Sequence, residues 1–512
     1  MALDTSVMNV SISTVASDVG TSVTGIQTAI TLYTLVMATL MITGGRIGQI
    51  LGRKRAFAIG CGVYACGSFT TSLAPNLVVL VAGWSLLEGL GAVLIMPAIV
   101  ALVASNFDAA NRPRAYGLVA ASAAIAVALG PLIGGALTTY ASWRWVFAGE
   151  VLIVLVILAL TRRMHDTPPE PGARLDLVGT ALSASGLGLA VFGILRSGTW
   201  GFVQPKPEAP EWLGLSPVIW MILGGAMLLA LFVGWEERRI SQGAAALFDP
   251  QMLRNAVLRG GMLAFFFQFL VQAGVFFVVP LFLSVALGLS AITTGVRLLP
   301  LSIALLLAAV AIPKLLPDVS PRRVVRCGFV SLFTGTALLV GLLELGEGPE
   351  IVTLPLMLSG LGIGALSSQL GSVTVSSVPE EQSGEVGGLQ NTSTQLGASV
   401  GTALAGAMLI AALTTSFFAD IRDDPNVPSA VTAKAEVQLT SGVPFVSDAD
   451  LEAALDDTDL PPETIDSIVD ANATARIGGL RAALAVLALF SLVGLAFARR
   501  IPTRQPQAAD EL

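Results

Sequence analysis

Fourteen apolar runs, most of them about as long as a bilayer is thick, leave this chain few options. They fall at about 1–17, 25–45, 56–73, 78–104, 115–140, 145–161, 176–196, 216–235, 258–285, 292–312, 325–344, 351–376, 386–417 and 477–498. A hydrocarbon core is about 30 Å thick and a helix rises about 1.5 Å per residue, so roughly 20 apolar residues cross it. Backbone groups find no water at that depth, which makes each run a helix. Of 512 residues, 54% are hydrophobic and 12% are charged, where a soluble domain averages about 25% charged. One soluble core cannot hide that much apolar surface. The expected fold class is an all-α polytopic membrane protein of fourteen transmembrane helices.

Basic residues orient the runs. Arg46, Arg53, Lys54 and Arg55 separate the second and third, and Arg112 and Arg114 the fourth and fifth. Arg162, Arg163 and Arg174 follow the sixth, Arg238, Arg239, Arg254 and Arg259 the eighth. Lys314, Arg322, Arg323 and Arg326 follow the tenth, and Arg499, Arg500 and Arg504 the last. A count of fourteen puts all of these on one side, which the positive-inside rule makes cytoplasmic. Both termini are then cytoplasmic, in a plasma membrane. The net charge of −7 hides an imbalance. Between Asp420 and Asp470 stand thirteen acidic residues against Arg422 and Lys434. That stretch is expected as a solvated extracytoplasmic hairpin or lid, and the remainder is slightly basic.

The run Ala121–Leu137 carries Gly130, Pro131, Gly134 and Gly135 in one half. Gly130 and Gly134 share a helix face, and such a flat face lets another helix approach closely. Two loop segments repeat weakly. Gly45–Lys54 (GRIGQILGRK, containing Gly52) and Lys314–Arg323 (KLLPDVSPRR) both end in two basic residues, with Gln49 opposite Asp318. Runs one to six and nine to fourteen become equivalent halves. The expected organisation is 1–163 as a six-helix bundle, 164–255 as two inserted spans with their loops, and 256–417 as five spans of the second bundle. An acidic extracytoplasmic loop at 418–475 and a last span and tail at 476–512 complete it. The first run has about 16 residues before Ser17-Asp18, short for a span, which predicts a missing cytoplasmic end.

Six segments in order resemble the major facilitator superfamily, in its fourteen-span drug:proton antiporter branch. LDTSVMNVSIS (Leu3–Ser13) resembles the branch's opening motif, with Asp4 and Asn9 at its polar positions. GRIGQILGRKR (Gly45–Arg55) is similar to the cytoplasmic loop motif, LLEGLGAVLIMP (Leu86–Pro97) to the fourth-span motif and ALGPLIGG (Ala128–Gly135) to the antiporter motif that closes the outer gate. WRWVF (Trp143–Phe147) resembles the entry to span six, and Gly388–Gly406 the thirteenth span. The chain also departs from the pattern. Gln49 and Ile50 replace an Asp and an Arg, Ser85 and Glu88 replace an Arg and a Gln, Ala126 replaces a Gly, and Glu150 replaces an Asn. The resemblance implies two pivoting bundles that export amphipathic or cationic compounds against an inward flow of protons. A lipid or lipid-like exporter of the same fold is the alternative.

An ionisable group inside a span is costly and marks function by default. Asp4, Glu88 and Glu150 are the candidates for proton and substrate coupling. Asn9, Gln27, Tyr33, Arg297, Gln390, Asn391 and Gln395 are candidates to line the cavity. Gly45, Gln49, Gly52, Arg53, Lys54, Gly130, Pro131, Gly134, Gly135 and Asp318 are candidates for gating and helix packing. His165 is the one histidine, which disfavours a haem, a multi-His metal site or a membrane-embedded transferase. Cys61, Cys66 and Cys327 read as small buried hydrophobes. No cofactor, metal or nucleic acid is expected. The expected partners are a small amphipathic substrate, protons and the lipid bilayer, and the chain is expected to be a monomer.

Overall fold

The computed structural model describes residues 2–106, 112–164, 174–206, 209–244, 246–316, 318–344, 348–378, 383–439, 443–456, 458 and 460–503. His165 and Arg504 lie outside them. Eleven helices among the described residues are long and apolar enough to cross a membrane. The protein is a helical, multi-pass membrane protein.

The first half holds α1 (Ala2–Val10), α2 (Ile12–Asp18), α3 (Val23–Leu51), α4 (Arg53–Ser72), α5 (Leu77–Leu80), α6 (Gly89–Asn106), α7 (Arg112–Tyr140) and α8 (Arg144–Thr161). A π-helical turn, Val81–Glu88, joins α5 to α6. Next come α9 (Leu177–Trp200) and α10 (Pro217–Ser241), which pack on each other. The second half holds α11 (Ala256–Leu281), α12 (Ala291–Leu315), α13 (Pro321–Leu342), α14 (Thr353–Val375), α15 (Ser383–Asp423), α16 (Ser429–Gln438), α17 (Asp448–Asp456) and α18 (Pro462–Phe497). The helix starts reflect local chemistry. Side chains of Ser22, Asn76, Ser290 and Ser320 accept from backbone N–H groups two or three residues into α3, α5, α12 and α13, which satisfies donors the first turn leaves bare.

Several boundaries differ from the sequence expectation. The first run is two helices that meet at Ser11. The expected loop at Gly45–Lys54 is almost entirely helix. α3 continues to Leu51, and only Gly52 breaks the path, with φ +92°. Glycine alone reaches that region without a side-chain clash. Hydropathy finds lipid depth, and a helix that continues into water looks to it like a loop. The same reason lengthens the last helix, which starts at Pro462 rather than near 477. Of the three cysteines, Cys61 is buried, whereas Cys66 and Cys327 are exposed on the outside of the bundle.

The largest contacts between the halves are α7 against α12 and α3 against α15; smaller ones set α1 on α11 and α12, α2 on α11 and α6 on α15. α9 lies on both α3 and α15. At one end of α9, Thr180 and Thr43 of α3 share a hydroxyl hydrogen bond of 3.2 Å. At the other end Gly198 meets α15, where a Cβ would come within 2.9 Å of the Ala407 Cα.

The acidic stretch folds as α16, α17 and the start of α18, seated on the ends of α15 and α18. Val443 and Phe445 are buried, and the Val443 N–H donates to the Thr414 hydroxyl at 3.1 Å. Arg476 is buried, donates to the Val446 carbonyl at 2.6 Å and pairs with Asp448 at 2.5 Å. Arg476→Ala removes both contacts at once. The expected result is a local loss of about 1–3 kcal/mol and faster limited proteolysis between residues 443 and 456, with the spans intact. An unchanged digestion rate means the arginine does not hold this cap.

Candidate functional site

Asp4 on α1, Glu88 at the end of the π-helical turn and Glu150 on α8 converge in the first half. One carboxylate oxygen from each lies within 4.8 Å of the others. Asp4 and Glu88 are fully buried and Glu150 is 7% exposed.

The local fold explains how a helix pair delivers such groups. α4 and the Val81–Gly91 segment approach through small residues. A Cβ on Gly67 would sit 2.6 Å from the Glu88 backbone nitrogen, and one on Gly91 would sit 2.7 Å from that of Tyr64. These glycines bring the two backbones close enough for Tyr64 to enter the acid cluster. The π-helical turn adds a residue to the local register and rotates the helix beyond it, a device common at functional sites. Glu88 is its last residue.

Neutral donors hold the acids. The Trp84 indole N–H donates to Asp4 Oδ2 at 3.2 Å. The Tyr64 hydroxyl lies 3.2 Å from the same oxygen and 3.1 Å from Glu150 Oε2. The Ser68 hydroxyl donates to Glu150 Oε2 at 3.5 Å. A tyrosine hydroxyl has one proton and two lone pairs, so Tyr64 can donate to one acid while it accepts from the other. Both oxygens of Glu88 are buried and meet no hydrogen-bond geometry among the described residues. Tyr33 stacks on Trp84 with ring centroids 4.9 Å apart, and Phe147 meets Trp84 edge-on at 6.5 Å. The acids therefore share an aromatic wall. Sequence reasoning missed Tyr64, Ser68 and Trp84. A signal existed for Trp84, an indole donor four residues before Glu88; none distinguished Tyr64 from other span tyrosines.

Arg144 does not pair with Glu150. Its guanidinium meets Asp18 at 3.1 Å, donates to the Ala74 carbonyl at 2.9 Å and lies over the Trp143 ring at 4.6 Å. The Trp143 indole also donates to Asp18, at 2.9 Å. This knot ties α2, α8 and the α4–α5 turn at one end of the first half.

The glycines of α7 lie in contacts with two other helices. A Cβ on Gly134 would meet Val7 of α1 at 2.5 Å, and one on Gly135 would meet the Ala291 carbonyl of α12 at 2.4 Å. On the opposing helix, a Cβ on Gly295 would lie 2.2 Å from the Pro131 carbonyl oxygen. Gly130 is buried in the same helix. The Thr139 hydroxyl accepts from the Ile292 N–H at 3.0 Å. Gln27 closes the second seam: its side-chain amide donates to the Thr402 and Ala403 carbonyls at 3.0 and 3.3 Å, and Gly406 leaves it room. Gln27 is 2% exposed, so it bonds across the halves rather than lining open space.

The other candidates are dispersed. The Asn9 amide donates to the Thr5 carbonyl at 2.8 Å, within α1. Gln395 reaches Met37 Sδ at 3.3 Å across the α3–α15 seam. Gln390 bonds Thr374 of α14, and Asn391 bonds the Gly387 carbonyl of its own helix. Arg297 is half-buried on α12, one turn past Thr293, and Asp318 is exposed. At the α3–α4 corner, Arg53 donates to the Gly45 carbonyl at 3.1 Å, Lys54 to the Met164 carbonyl at 2.7 Å, and Arg46 to Gln49 at 2.7 Å. Lys54 thereby ties the corner to the end of α8, and the two arginine bonds brace the corner itself.

The profile of the Major Facilitator Superfamily matches residues 1–402. The chain belongs to this superfamily. Among relatives of this facilitator is the multidrug efflux pump LfrA of Mycolicibacterium smegmatis, 29% identical over 98% of this chain and 94% of its own length. The probable actinorhodin transporter of Streptomyces coelicolor is 29% identical over 86% of this chain and 75% of that protein. The multidrug resistance protein Stp of Mycobacterium tuberculosis is 26% identical over 81% of this chain and 74% of that protein. The fold matches solved facilitators. An auto-inhibited POT family peptide transporter gives a TM-score of 0.59 at 14% identity, covering 100% of this chain and 97% of its own. An inward-facing bacterial homologue of the lysosomal transporter Spinster gives 0.58 at 13% identity, covering 99% and 96%.

Proposed function

We propose that this facilitator is a fourteen-span drug:proton antiporter of the plasma membrane. It exports small amphipathic, often cationic compounds by alternating access, with both termini in the cytoplasm. The observation that carries the reading is the convergence of Asp4, Glu88 and Glu150, from three separate helical segments, within 4.8 Å. Like charges at that distance repel by about 3–4 kcal/mol per pair at an effective dielectric near 20. The trio therefore gathers positive charge, either protons or a cationic substrate. A site that holds one or the other, and is offered to each side in turn, exchanges them. Relatives named as multidrug and antibiotic exporters support the choice of cargo.

In this reading the α7–α12 and α3–α15 seams close the outer side, and the end that carries Asp18 faces outward. The wall of Tyr33, Trp84 and Phe147 receives the apolar part of the substrate. Tyr64 relays a proton between Asp4 and Glu150. Coupling arises because each ligand stabilises the shape that releases the other.

The test is proton release on addition of ethidium to the purified protein. The parent is expected to release protons in proportion to bound ethidium, and Asp4→Asn, Glu88→Gln and Glu150→Gln to release fewer. Three variants indistinguishable from the parent would remove the acids from the mechanism. Tyr64→Phe keeps the packing and deletes the relay hydroxyl. It is expected to slow proton-coupled efflux by about tenfold or more with ethidium affinity retained; a parental rate assigns the hydroxyl to structure alone.

A further inference from the structure

Two exposed arginines carry charge that nothing beside them balances. A groove of about 660 Å³ lies between the start of α4 and the end of α8, lined by Lys54, Arg55, Ala58, Leu158, Thr161 and Arg162. No acid is among these six. Lys54 is committed to the protein: its ammonium donates to the Met164 and Arg162 carbonyls at 2.7 and 3.3 Å, which caps the end of α8. Arg55 and Arg162 are exposed. Neither side chain has an ion pair or a hydrogen bond among the described residues. Like charges gathered at one end of a groove repel one another, so the groove favours an anion. Guanidinium groups suit the oxygens of a phosphate, which they can bind in pairs.

The same groove borders an apolar wall. Leu152, Leu155, Val156 and Leu160 of α8 are each more than half exposed, and Ile59, one turn along α4 from Arg55, is 49% exposed. Apolar side chains so open on a spanning helix face acyl chains. Leu155 lies about 10 Å along α8 from Arg162. Charge at one end and lipid-facing carbon at the other match a headgroup joined to acyl chains. A soluble anion would use only the first. Basic pockets between spanning helices are a general means of holding acidic headgroups.

We propose that the α4–α8 groove binds one anionic phospholipid, with its phosphate between Arg55 and Arg162 and its acyl chains along Leu158, Leu155 and Ile59. The site uses none of the three acids and does not depend on proton antiport.

The second half supplies a comparison. A groove of about 430 Å³ touching α13, α14 and α18 has Arg326 as its one basic lining residue. A single exposed guanidinium attracts acidic lipid as any surface charge does, whereas two that line one groove can hold a phosphate between them.

The full chain, with its three cysteines replaced by alanine and Ile59→Cys carrying a bimane, is placed in phosphatidylcholine bilayers. Brominated phosphatidylglycerol, or brominated phosphatidylcholine at the same mole fraction, quenches the bimane on contact. The parent is expected to prefer phosphatidylglycerol by more than about tenfold, and Arg55→Gln and Arg162→Gln each to lower that preference by about fivefold. The double variant is expected to lose it, and Arg326→Gln, which removes the same charge elsewhere, to retain it. Brominated phosphatidylcholine should quench parent and variants alike, which reports that the label still faces lipid in a folded chain. Equal quenching by the two lipids in the parent, a preference that survives in the double variant, or an equal loss in Arg326→Gln overturns the site. Glycerol phosphate added to the water is expected to change nothing. If it abolishes the preference, the groove takes a soluble anion and the lipid assignment fails.

Discussion

In the antiport reading, Glu88→Gln is expected to collapse the drug gradient that the carrier maintains. One charge moved through 100 mV yields about 2.3 kcal/mol, and about 1.4 kcal/mol is a tenfold ratio, so each coupled proton supports roughly a 50-fold gradient. A glutamine at 88 keeps the shape and the polarity but neither releases a proton nor carries charge. The side chain is fully buried at the end of the π-helical turn, against α4. The expected loss is therefore about 50-fold in steady-state ethidium accumulation ratio at 100 mV, with the protein still present in the membrane at parental amounts. Collapse of the proton gradient by an uncoupler should bring the parent to the level of the variant and leave the variant where it is. An uncoupler effect of equal size in both would mean that the proton is carried elsewhere.

The second large effect is expected at Gly295→Val. A Cβ there would fall 2.2 Å from the Pro131 carbonyl, a distance no real pair of such atoms adopts, and the partner is backbone that cannot rotate away. Overpacking of this kind costs about 1–3 kcal/mol, which shifts the ratio of closed to open seam by roughly 5- to 150-fold. Transport should fall accordingly, because a carrier held open on one side cannot complete its cycle. Labelling reads the shift directly. In a background without Cys61, Cys66 and Cys327, Thr139→Cys places a thiol at the hydroxyl that now receives the Ile292 N–H. Gly295→Val should raise its modification by an impermeant maleimide from outside. Parental labelling together with parental efflux would show that α7 and α12 do not form the gate.

The acids and the α7–α12 seam differ in how much of them could be read from the chain. Asp4, Glu88 and Glu150 stand out in sequence because charge is so rare within apolar runs, and the structure brings all three together. Gly130 and Gly134 were legible as a close-contact surface, since four-residue spacing fixes a face; Gly135 lies off that face and meets a different helix. The partners were not: a glycine marks proximity without saying to what, and Val7, Ala291 and Gly295 come from helices far along the chain. Gln27 illustrates the same limit. Its amide suits either a cavity wall or a clasp across the seam, and only the position of the Thr402 and Ala403 carbonyls decides. Helix ends were the least legible feature. α3 reaches Leu51 and α18 begins at Pro462 because capping and packing continue where apolar patterning stops. Exposed Cys66 and Cys327 show that an apolar run does not reveal which of its residues face lipid.

α9 is pinned to one body at Thr180 and to the other at Gly198. Eighteen residues of helix separate these points by about 27 Å. In the alternating-access reading, a stiff rod held near its opposite tips to two bodies leaves them few freedoms: they would swing about a line close to the rod rather than slide apart along it. The extra hairpin therefore does more than lengthen the chain. In that reading it would select the hinge line, and with it how wide each mouth can open.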